Sequence, residues 1–89
     1  MTNVIDQEHI LVVTNIYNIG NTLRERRKML GYSGYYVSRM VGVATNTIYR
    51  GERGEWLPTL ETLSAWAEVL GYETVVLRSS GYVSRRKHQ

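Results

Sequence analysis

Between residues 15 and 71 apolar side chains recur at helical spacing, in short segments divided by glycines. Ile16, Ile19, Leu23 and Leu30 follow at intervals of three, four and seven, which places them on one face of a first helix. Asn15 or Asn18 suits its start, and Gly31 suits its end as a left-handed residue. Ser33 reads as the N-cap of a second helix that buries Val37 and Val41, with Met40 packed beside them. Gly42 supplies a tight turn and Val43 plugs the angle that follows. A third helix over Ala44–Arg53 has one large inward apolar residue, Ile48, and leaves Thr45, Asn46, Tyr49 and Arg50 exposed. After a loop at residues 54–58, Thr59 caps a fourth helix with the stripe Leu60, Leu63, Trp66, Ala67 and Leu70, closed by Gly71.

The two ends follow other patterns. Ile10-Leu11-Val12-Val13 is continuous and β-branched, as in a short buried strand. The same region also fits a helix capped by Asp6, since Ile5, His9, Val12, Ile16, Ile19 and Leu23 fall at helical spacing; an arm or strand is the preferred reading. Tyr72–Leu77 (YETVVL) is β-prone, Gly81 breaks it, and the chain closes on the basic Arg85-Arg86-Lys87-His88. The expected organisation is an N-terminal arm or strand at 1–14, a helical domain at 15–71, and a C-terminal strand with a basic tail at 72–89. The class is mainly α with a short C-terminal strand.

Composition narrows the chemistry. Eighty-nine residues make one small domain whose core is modest, so association with a second copy would help it. There is no cysteine, hence no disulfide and no thiolate metal site, and no cofactor is expected. The longest apolar run is too short to span a bilayer, and the acidic start carrying Asp6 and Glu8 does not resemble a secretory signal; a cytoplasmic protein is expected. No nucleophile triad, zinc motif or phosphate loop is present, which argues against an enzyme. Charge is segregated: residues 20–54 hold seven basic and two acidic groups, whereas residues 55–73 hold four glutamates and no basic residue. A basic block over the middle helices is the electrostatic footprint of phosphate binding, or merely a solvated helical surface.

Two short helices joined by a small-residue turn form the helix-turn-helix arrangement. The hydroxyls, amide and guanidinium on the second of them are the groups that read base edges in the DNA major groove. An ordered set of residues supports this: Ile19-Gly20, Leu23-Arg24, Arg27, Leu30-Gly31-Tyr32-Ser33, Val37-Ser38, Val41-Gly42-Val43, Ile48, Glu52, Gly54, Pro58-Thr59-Leu60-Glu61-Thr62-Leu63 and Leu70-Gly71. Over roughly residues 19–71 it resembles the lambda-repressor-like (XRE/Cro) helix-turn-helix family.

The resemblance implies a compact four- to five-helix domain with Ala44–Arg53 as recognition helix and an Arg27–Glu52 ion pair holding it to the first helix. It implies base contacts from Thr45, Asn46, Tyr49 and Arg50, with Asn46 suited to adenine and Arg50 to guanine. It implies phosphate contacts from Ser33 with the amides of Gly34 and Tyr35, and from Arg39, Thr47 and Arg53. Two positions depart from the family. Gly34 stands where a bracing glutamine is common. Gly51 stands where a large apolar residue is usual, so that either a neighbour such as Trp56 or Tyr36 fills the space or the helix frays.

Plainer readings exist for each. Arg50 can be a solvated helix arginine and Asn46 a capping residue. Tyr35, Tyr36 and Tyr49 can be half-buried packing, and Trp56 and Trp66 core. The resemblance implies that the C-terminal strand, with Tyr72, Thr74, Val75, Val76 and Leu77, pairs across a homodimer on a double-stranded DNA operator, as in a subset of the family that includes antitoxins; phage and prophage regulators of this size are the other group. The alternative is an antitoxin-type module that binds a toxin or other protein partner. No membrane role is expected.

Overall fold

The computed structural model describes residues 4–6, as backbone, and residues 9–78. The basic tail at residues 85–88, Gly81 and Glu8 lie outside the described residues. In chain order the elements are strands β1 (Val4–Asp6) and β2 (Ile10–Val13), a single 3-10 turn (Ile16–Asn18), helices α1 (Ile19–Met29), α2 (Gly34–Val41), α3 (Thr45–Glu52) and α4 (Leu60–Val69), and strand β3 (Thr74–Leu77). The fold is mainly helical, with four helices and a short C-terminal strand, as the sequence pattern requires.

Local chemistry sets the helix ends. The Ser33 hydroxyl accepts the Tyr36 amide at 2.9 Å and the Thr59 hydroxyl accepts the Thr62 amide at 3.2 Å. Each satisfies one of the donors that a helix start leaves open. Gly42 ends α2 with φ of 93°, a left-handed conformation that glycine adopts without steric cost, and its amide bonds back to the Ser38 carbonyl. Replacing Ser33 by Ala removes its cap while leaving the core intact. A urea melt should show about 1 kcal/mol of lost stability, and an unchanged midpoint would mean that water serves the Tyr36 amide equally well.

One core joins the helices to the sheet. Leu11, Val13, Ile19, Leu23, Val37, Ile48, Leu63, Trp66, Ala67, Leu70 and Tyr72 are buried together. Helical periodicity overstates the buried stripe at its margins. Leu30 is exposed, Met40 is 57% exposed and Leu60 is 60% exposed, so none of the three packs inward as expected. The place of Leu30 on α1 is taken by Arg27, which lies four residues after Leu23 and is buried.

The strand reading of residues 10–13 holds over the helical one. β2 is the centre of a three-stranded sheet, antiparallel to β1 and parallel to β3. Leu11 and Val13 face the core, and Ile10 and Val12 the other side, by the alternation of a strand. The C-terminal strand, expected to pair across a dimer, thus has one edge occupied by its own chain. Tyr72 precedes the strand and is 4% exposed, so it is a core residue of its own chain rather than an interface residue. No helix among the described residues is long and apolar enough to cross a membrane.

Candidate nucleic-acid interface

The recognition helix is held from behind by charge. Arg27 donates from Nε to Glu52 Oε2 at 2.6 Å and from Nη2 to Oε1 at 3.1 Å, a two-point bridge between α1 and α3. Its Nη1 donates to the Tyr32 carbonyl at 2.9 Å, which adds the loop before α2. Both side chains are buried. The hydrogen bond to Glu52 holds the Arg27 guanidinium above its ordinary pKa, against the opposing effect of burial. A guanidinium suits this junction because its planar donor fork meets both carboxylate oxygens at once.

Glycines let the helices approach. A Cβ on Gly20 of α1 would lie 2.6 Å from the Glu52 carbonyl oxygen and would also collide with the Gly51 carbonyl oxygen. Gly51 itself is buried: a Cβ there would lie 2.7 Å from the Trp66 ring and 3.4 Å from Trp56. The space that a large residue usually fills is therefore filled by Trp66, with Trp56 beside it, and α3 runs through to Glu52.

Of the expected base readers, Asn46 and Arg50 stand one turn apart on the exposed face of α3 and have no side-chain hydrogen bond or ion pair among the described residues. Thr45 is different. Its hydroxyl is 2.9 Å from that of Ser38, which is buried and donates to the Tyr35 carbonyl at 2.7 Å. Ser38 has a single hydroxyl proton, so it accepts from Thr45. Thr45 is then left with acceptor capacity and a methyl group. Tyr49 is half turned away from the exposed face: its ring lies against Gly34 and 5.6 Å from the Arg27 guanidinium.

The expected phosphate contacts are also sorted by position. Ser33 is occupied by its cap, while the amides of Gly34 and Tyr35 open the first turn of α2, where no intrahelical acceptor exists. Arg39 is exposed, 5.9 Å from the Tyr35 ring. Thr47 is half-buried. Arg53 is bridged by two hydrogen bonds to Glu55, at 3.0 and 3.1 Å. That contact raises the Arg53 pKa and lowers the Glu55 carboxyl. Both side chains are about half exposed, and surface bridges of this kind are weak.

Of the four basic residues toward the end of α1, the sequence assigns only Arg27, to the Glu52 pair, and leaves Arg24, Arg26 and Lys28 without a role. Arg26 donates from Nε to the Leu70 carbonyl at 2.9 Å and lies 4.3 Å from the Tyr72 ring, closing the C-terminus of α4. Arg27 is the buried ion pair. Arg24 and Lys28 stay exposed and line a groove of about 530 Å³ with Asn21, Tyr49 and Arg53. No local signal identifies the role of Arg26, because its partner is 44 residues away.

Four helices, a sharp glycine turn between the second and third, and a third helix with its polar face outward define a helix-turn-helix DNA-binding domain. A family model described as Helix-turn-helix matches residues 23–77, more than half of the chain. The chain belongs to this family in its lambda-repressor-like (XRE) form, and is a DNA-binding transcription regulator of that type. No curated protein and no solved structure matches it significantly.

Proposed function

We propose that the protein is a sequence-specific repressor that binds a palindromic double-stranded DNA operator as a homodimer. The observation that carries this reading is the pair of exposed side chains, Asn46 and Arg50, on the outer face of α3, neither with a hydrogen bond or ion pair among the described residues. Asn46 offers a donor and an acceptor for adenine; Arg50 offers a two-point donor for guanine O6 and N7. Thr45, its hydroxyl hydrogen donated in a bond to Ser38, accepts from a base amino group or meets a thymine methyl. The α2 amides of Gly34 and Tyr35, with Arg39, Thr47 and Arg53, supply phosphate contacts. Affinity then falls steeply with salt as counterions are released. Occlusion of a promoter is the means of repression.

The dimer is supported by what β3 leaves uncovered. Ile10 and Val76 are exposed on the outer sheet face, and Leu77 is exposed at its edge. A second copy meeting Thr74, Val75, Val76 and Leu77 would cover an edge that strands seldom leave open. It would also set two recognition helices about 34 Å apart for a palindrome. The same apolar face supports the second reading, an antitoxin-type module that covers it with a toxin and represses its own operon.

Selection of bound duplexes from a random pool tests the proposal. A palindromic consensus is expected, and recovery of unrelated sequences would overturn it. On the selected duplex, Arg50→Ala should lose about 1–3 kcal/mol of discrimination against a changed base pair while retaining non-specific binding. Wild-type discrimination in that variant would remove Arg50 from the readers.

A further inference from the structure

Gly34 is a glycine without a backbone reason. Its φ is not in the left-handed region, and it stands at the first position of α2, where helix propensity favours alanine. What excludes a side chain is Tyr49. A Cβ on Gly34 would lie 2.6 Å from both Cε1 and the hydroxyl oxygen of Tyr49, and would collide with Cζ. These atoms form the end of the Tyr49 side chain, so a methyl fits on Gly34 only if the ring swings away from α2. Gly34 is accordingly buried, under a residue that belongs to the recognition helix.

The ring has a second neighbour. The Arg27 guanidinium lies 5.6 Å from its centroid, within the range of a cation–π contact. Arg27 is already fixed by Glu52 and by the Tyr32 carbonyl. Tyr49 therefore touches α1 through Arg27 and α2 through Gly34 while it rides on α3. It sits one residue before Arg50 and three after Asn46. The hydroxyl has no hydrogen-bond partner among the described residues, so the ring is held by its packing on Gly34 and by the Arg27 guanidinium.

We propose that Tyr49 is a positioning residue. Its ring, received by the missing side chain of Gly34, sets the angle of the recognition helix against α2 and so the reach of Asn46 and Arg50 into the groove. This rests on the DNA-reading function proposed above. It moves Tyr49 from reading bases to aiming the residues that do. Binding groups need placement within about 0.5 Å, which packed neighbours provide. Gly34 and Tyr49 form one coupled pair: neither is changed without cost unless the other changes with it.

The test is a double-mutant cycle at the two positions on the full chain, read as the ratio of affinity for the selected duplex to affinity for a scrambled one. Tyr49→Ala is expected to lower that ratio about tenfold, and Tyr49→Phe to leave it within about twofold. Gly34→Ala should lower it as Tyr49→Ala does, although helix propensity alone predicts a gain. The double variant Gly34→Ala with Tyr49→Ala should discriminate about as well as Tyr49→Ala alone, rather than losing the two effects multiplied, because the added methyl then meets open space. A merely structural contact would lower the melting temperature and leave the ratio of the folded protein unchanged. That result overturns the proposal. So does a Tyr49→Phe variant as poor as Tyr49→Ala, which would make the hydroxyl a DNA ligand. So does strict additivity in the cycle. A wild type that prefers no duplex overturns the DNA-reading function instead. The cycle read by urea denaturation still decides in that case whether the ring and the glycine are coupled, and additivity there ends the proposal.

Discussion

Replacing Glu52 by Ala should remove a large share of the protein's folding stability. The substitution leaves the Arg27 guanidinium buried with one carbonyl, that of Tyr32, in place of a carboxylate that it meets twice. Stranding one half of a buried pair costs about 3–5 kcal/mol, against a total of roughly 5–15 kcal/mol for a domain. This chain, at 89 residues, has a modest core. The decisive comparison is the double variant Arg27→Met with Glu52→Leu. Apolar residues of similar volume often replace a buried pair at no net cost. The double variant should therefore be markedly more stable than Glu52→Ala in a urea melt. If it is equally unstable, the geometry of the bridge and not the stranded charge holds α1 to α3.

Gly20→Ala should be nearly as damaging for a substitution that adds a single methyl. On an exposed helix face it would stabilise, by up to about 1 kcal/mol. At Gly20 the methyl meets carbonyl groups at the end of α3, with Glu52 C at 2.9 Å and Glu52 O at 2.6 Å. Backbone atoms cannot step aside as a side chain can, so α1 and α3 must separate. Arg27 is seven residues on, two turns along the same face of α1, and its bridge to Glu52 would lengthen with them. Overpacking costs about 1–3 kcal/mol, and the upper end applies here because the ion pair is disturbed too. A urea midpoint at or above that of the wild type would show that the helices part without loss.

Features set within a few residues were legible in the sequence. Gly31, Gly42 and Gly71 have positive φ, because a helix end needs a residue that tolerates it. Ser33 and Thr59 cap because a hydroxyl three residues before an amide meets it at a helix start. Ile48 points inward as the sole large aliphatic residue on its helix. Features set by distant partners were not. Leu30, Met40 and Leu60 satisfy the helical period yet lie exposed, since the period gives a direction and not the width of what covers it. Periodicity alone could not separate strand from helix around Ile10–Val13; the parallel partner Thr74–Leu77 settles it. Gly34 and Gly51 looked like missing supports. Each is a vacancy shaped to an aromatic ring, Tyr49 in one case and Trp66 in the other.

The parallel pairing of β2 with β3 has a consequence for synthesis. Residues 10–13 leave the ribosome early, yet their hydrogen-bonding partner at residues 74–77 comes last among the described elements. Parallel strands need a long crossover, and here the crossover is the helical domain itself. The DNA-reading helices can assemble on the nascent chain while β2 still awaits its parallel partner. The sheet closes as a final seam that joins the two ends of the domain. Contacts of such long sequence separation slow folding. The rate of that closure, rather than of helix formation, should set how soon a new chain becomes resistant to proteolysis.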